Sequence, residues 1–131
     1  MSADTVTGRG MVGVARWAAR LWAAGLVLFW RAFFVEHVAW FADPQRLPPP
    51  WVFLLAGLHF LMLVGLLIGW KWELAGAVVA LASSLPFFAT AAGRNFPLFT
   101  LVAAGPSVLW LYCAWHDRRR RIAGQPDDGP G

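Results

Sequence analysis

Apolar residues fill four long stretches of this chain, and polar residues crowd the gaps between them. The stretches run over about 17–41, 51–70, 72–92 and 96–115. A bilayer core of about 30 Å takes roughly 20 helical residues, and each stretch is close to that length. The run from 51 to 92 is about twice one span, so it must fold back on itself, and WKW at 70–72 is its polar break. Between the first two stretches lies DPQRLPPP, residues 43–50. Proline lacks the amide donor and disfavours helix in the residue before it, so this segment ends a helix firmly. GRN at 93–95 makes a tight turn, and Pro97 falls in a first-turn position where its missing amide is harmless. The pattern predicts an all-α, antiparallel four-helix bundle crossing a membrane. It leaves residues 1–15 as a flexible N-terminal segment, 16–117 as the membrane domain, and 118–131 as a basic stretch running into a disordered Gly/Pro-rich tail.

Composition sharpens this picture. Of 131 residues, 59% are hydrophobic and 14% charged, against about 45–50% and 25% in soluble domains. The net charge of +4 does not indicate nucleic acid, because the basic residues flank apolar runs instead of alternating with stacking aromatics on a polar face. Four spans place both termini on one side, together with Arg9, Arg16, Arg20, Lys71 and Arg118 to Arg121, while Arg46 and Arg94 fall on the other. That bias marks the termini as cytoplasmic. Tryptophans mark both levels: Trp17, Trp70, Trp72 and Trp115 inside, Trp40 and Trp51 outside. The first helix, broken by Arg16 and Arg20, reads as a retained span and not a cleaved signal. Cys113 sits alone in an apolar run and reads as a small buried hydrophobe.

Lipid tails give helices little hydrophobic reason to associate, so close packing relies on small residues. Gly65 and Gly69 lie four apart on the second span, and Gly76, Ala80 and Ser84 repeat that spacing on the third. These stripes are expected to pack the two helices as a hairpin.

The candidate chemistry lies in polar residues at membrane depth, where a charge costs about 2.5–3.5 kcal/mol on insertion scales. At 1.5 Å per residue, Arg31 lies roughly 15 Å from the outer end of helix one, and His59 about 12 Å inward from Trp51. Ser83, Ser84 and Ser107 fall at similar depth, with Glu36 and His37 nearer the outer surface. Arg31, Glu36, His37, His59, Ser84 and Ser107 thus form one outer-half layer. Two readings follow from it. In one, the layer is a satisfied structural network in which Glu36 neutralises Arg31 or accepts a hydrogen bond from His59. In the other, it is a ligand or ion site opening outward. Adjacent residues on a helix point about 100° apart, so Glu36 and His37 cannot both face the interior. His37 and His59 also raise axial haem ligation, with quinone as a related case. At the opposite end Glu73 opens the third helix, where the dipole favours a carboxylate. It is level with Arg20 and Arg16, and a structural ion pair of Glu73 with Arg20 is expected. No nucleophile and base at usable spacing, no phosphate loop and no metal-ligand cluster is present, so neither enzymatic activity nor a bound cofactor or metal is expected.

FFVEHVAWF, GLLIGWKWELAGA and AGPSVLW together resemble a family of small bacterial four-helix integral membrane proteins catalogued as a domain of unknown function. The resemblance covers roughly residues 15–120. It rests on Trp70, Lys71, Trp72 and Glu73 followed by Gly76, and on the Gly105–Pro106 step. It implies the four-span architecture and no activity. The expected function is a non-enzymatic accessory or scaffold subunit of the bacterial inner membrane, with the lipid bilayer and a second copy or another membrane protein as partners. The alternatives are a small oligomeric transporter or channel using Glu36, and a redox subunit.

Overall fold

The computed structural model describes residues 3–124, with side chains from Thr7 onward. Four α-helices make up the chain: α1 (Ala3–Phe41), α2 (Pro50–Ile68), α3 (Glu73–Ala91) and α4 (Phe96–Ile122), with one turn of 3-10 helix at Gly93–Asn95. All four are long and apolar enough to cross a membrane.

Local chemistry sets the boundaries. Pro50 begins α2 after Pro49, which is extended at φ −58°, ψ 153°; a proline in the first turn loses no helical hydrogen bond. Trp72, at φ −122° and ψ 86°, breaks the backbone between α2 and α3. Gly93 takes φ +52°, the left-handed conformation that glycine adopts without penalty. Pro86 lies inside α3, and the Thr90 hydroxyl donates to its carbonyl at 2.9 Å.

The helices form a ring in chain order. α2 packs on α3, α3 on α4, and α4 and α2 on α1, so α1 and α3 face each other across the diagonal. The core is built from Ala19, Ala23, Leu26 and Trp30 of α1, Met62, Leu63 and Leu66 of α2, Ala77, Ala80 and Phe88 of α3, and Ala103 and Trp110 of α4.

α2 and α3 approach through their small residues. A Cβ on Gly65 would lie 2.6 Å from the backbone nitrogen of Ala80, and one on Gly76 would lie 2.7 Å from the Gly65 carbonyl and overlap Gly69. No other residue fits at Gly65 or Gly76 without parting the backbones. Two further glycines accept tryptophans: Gly69 lies under the ring of Trp110, and Gly105 under that of Trp22. The sequence reading missed both seats, because a glycine paired with a distant tryptophan leaves no periodic trace.

α1 and α4 differ from the expected boundaries. Residues 3–15 are not a flexible segment; they continue α1. Residues 118–122 are not tail; they continue α4. The two extensions run side by side, a Cβ on Gly8 falling 3.8 Å from the Arg120 guanidinium, and the α1 extension packs on α4. Val12 is 5% exposed and Cys113 fully buried, and the Cys113 thiol donates to the Val12 carbonyl at 3.7 Å. The expected disordered tail, residues 125–131, lies outside the described residues.

The other half of α1 behaves oppositely. Trp30 is its last buried side chain. From Arg31 to Trp40 every residue is exposed except Phe34, which is half-buried.

Candidate functional site

The chemistry-bearing residues divide between the two ends of the bundle. At the WKW end, Arg16 joins three helices. Its Nε donates to Glu73 Oε1, and one terminal nitrogen donates to Glu73 Oε2 at 3.3 Å and to Asp117 Oδ2 at 2.7 Å. The fork geometry of arginine suits two carboxylates at once. The Glu73 side chain is only 13% exposed, which removes much of the solvent screening that weakens surface pairs. The expected Glu73–Arg20 pair is therefore corrected: Arg16 is the partner. Arg20 lies one turn further along α1 and donates to the Trp70 carbonyl at 3.1 Å. It also stacks on Trp17, 5.5 Å from the ring centre. Depth alone does not separate Arg16 from Arg20, and Asp117, next to an arginine run, has no local signature that marks it as a partner.

These groups wall an open cleft of about 940 Å³ between the start of α3, the inner part of α1 and the end of α4. Arg20, Lys71 and Arg118 line it alongside the Arg16–Glu73–Asp117 cluster.

At the opposite end the expected polar layer splits in two. Arg31, Glu36 and His37 are exposed, whereas His59, Ser84 and Ser107 are buried. Neither Arg31 nor Glu36 forms a hydrogen bond or ion pair among the described residues. His37 Nδ1 turns back to the Phe33 carbonyl at 2.7 Å. The serines do not link helices either: Ser83 donates to Val79 O at 2.6 Å and Ser84 to Leu81 O at 3.4 Å, both within α3. Hence the layer is neither the cross-helix network nor the single site that depth alone suggested. α1 is apolar on all sides around Glu36, so periodicity carried no information about which way that residue faces.

His59 has a different setting. It stacks on Phe87 at 4.9 Å and meets Trp30 and Phe34 edge-on, each at 5.7 Å. Its Nε2 and the Trp30 Nε1 are buried without a hydrogen-bond partner among the described residues. Beside them Phe29, Phe33, Phe88 and Phe99 border an apolar groove of about 230 Å³. This aromatic cluster draws on all four helices and has no local signature in the sequence.

An all-helical bundle of four helices, each long and apolar enough to span a bilayer, with an ion-paired cleft at one end, defines the class of molecule. Within that class the chain belongs to the family described as Domain of unknown function (DUF7670), whose model matches residues 8–123. No curated protein and no solved structure matches the chain.

Proposed function

We propose that this chain is a non-enzymatic, multi-pass subunit of the bacterial cytoplasmic membrane, acting as an accessory or scaffold for another membrane protein. The WKW end faces the cytoplasm, since Arg9, Arg16, Arg20, Lys71 and Arg118 to Arg121 gather there against Arg46 and Arg94 at the other end.

The observation that carries this reading is the outer half of α1. An exposed arginine and an exposed glutamate, without ion-pair partners among the described residues, stand on a helix of spanning length. A charge at membrane depth is stable only against a partner or water, and among the described residues these two have no partner. A neighbouring transmembrane helix with an acceptor opposite Arg31 satisfies both the charge and the uncovered apolar surface around it.

Transport through Glu36 has less support, because that carboxylate points away from the interior of the bundle. Haem bridging His37 and His59 has less still, with His37 turned to its own backbone and His59 enclosed by aromatic rings. Affinity purification from mild detergent, against an unrelated four-span control, tests the proposal. A stoichiometric membrane partner that is lost on Arg31→Leu supports it. Recovery of the chain alone, as a monomer, rejects it.

A further inference from the structure

Once Arg16 is paired with Glu73 and Asp117, the cleft at the WKW end has used both of the carboxylates that line it. Besides Arg16, four cations line it from three separate elements: Arg20 from α1, Lys71 from the α2–α3 turn, and Arg118 and Arg121 from α4. Arg20, Lys71 and Arg118 pair with no carboxylate among the described residues. Arg20 and Lys71 are steadied on tryptophan faces, at 5.5 Å and 5.1 Å. Arg20 Nε is buried and lacks a hydrogen-bond partner among the described residues. Cations converging from three elements on one open cleft suit a compact anion with several acceptor oxygens, which a phosphate supplies. The level of the cleft narrows the source. Trp17 and Trp72, which line it, are 58% and 60% exposed, as tryptophans at a headgroup boundary are. Below them the outer faces of the helices are apolar, with Leu21 66%, Leu74 57% and Leu67 58% exposed.

We infer that this cleft binds the phosphate headgroup of an anionic phospholipid from the cytoplasmic leaflet, with the acyl chains lying along the bundle. Basic pockets between transmembrane helices on this side have the chemistry for such headgroups. The inference rests on the membrane placement and orientation proposed above.

The test is saturable thermal stabilisation of the purified full chain in neutral detergent. Phosphatidylglycerol, phosphatidylcholine and inorganic phosphate are titrated in parallel. The paired variant Lys71→Gln/Arg118→Gln is compared with Arg119→Gln/Arg120→Gln, which removes the same charge from the same end outside the cleft. Phosphatidylglycerol should stabilise and phosphatidylcholine should not. The cleft pair should weaken the phosphatidylglycerol midpoint by roughly fivefold per cation removed, and the control pair by much less. Equal weakening by both pairs, or equal stabilisation by both lipids, overturns the inference. Stabilisation by inorganic phosphate without a lipid preference assigns the cleft to a soluble anion instead and overturns the lipid. Carbonate extraction of cell membranes keeps the two proposals apart. A chain released by carbonate contradicts the membrane placement, whereas a retained chain with no lipid preference contradicts only the cleft assignment.

Discussion

Glu73 and Glu36 are the same residue type on diagonally opposed helices of one bundle, and they meet opposite conditions. Glu73 stands at the first turn of α3, nearly buried, held by an arginine that also reaches α4. Glu36 stands on the outer half of α1, exposed and without an ion-pair partner among the described residues. The difference lies in packing. At the WKW end α1 and α4 extend past the turn, and Arg16 of α1 reaches carboxylates on both α3 and α4, so charges from three elements meet. Beyond Trp30, α1 runs on with little of the bundle against it. At one end the carboxylates find their cation within the chain. At the other, Arg31 and Glu36 have no ion-pair partner among the described residues.

The largest expected effect concerns the closed part of the molecule. Gly76→Leu should drive a side chain into Gly69 and the Gly65 carbonyl. Overpacking of a tight core costs about 1–3 kcal/mol, and backbone-to-backbone contact puts this site at or above ~3 kcal/mol. Thermal melting in detergent should show loss of the cooperative transition; a melt like the parent's would mean that the hairpin does not depend on this approach.

Next comes the ion cluster. Arg16→Ala and Glu73→Ala should each destabilise by about 1–3 kcal/mol, less than the 3–5 kcal/mol of a fully buried pair because the arginine is partly exposed. Their double-mutant cycle should show a coupling above ~0.5 kcal/mol, whereas Arg20→Ala with Glu73→Ala should be close to additive. The reverse pattern would restore Arg20 as the partner.

The smallest effect belongs to the open end. Glu36→Gln should leave the melting of the isolated chain within about 0.5 kcal/mol of the parent, as for a surface site. A clear loss of stability would show that Glu36 holds the bundle together and would dissolve the contrast with Glu73.

Much of the fold could be read from the sequence. Four apolar runs, three prolines before Trp51 and the WKW break leave little choice of helix number or turn position, since length and turn chemistry act locally. The small residues Gly65, Gly69, Gly76 and Ala80 were also visible, because a four-residue spacing is itself the geometry of a helix face. The extensions were not. Residues 3–15 and 118–122 are weakly apolar or charged, and their helices continue where α1 meets α4, with Val12 against Cys113 and Gly8 beside Arg120, a tertiary setting that no local window contains. The polar layer shows the same limit. Depth along an axis follows from counting residues, but Glu36 and His59 differ in azimuth, and azimuth depends on which neighbours exist. The enclosure of His59 by Trp30, Phe34 and Phe87 needs three helices at once.

The most direct test places a photo-crosslinking side chain at Val35, 65% exposed on the outer half of α1, and at Leu101, 72% exposed on α4, in cells expressing the full chain. The account predicts a discrete protein adduct at position 35 and lipid adducts alone at position 101. Lipid adducts alone at both positions would contradict it, because α1 would then face the bilayer uncovered.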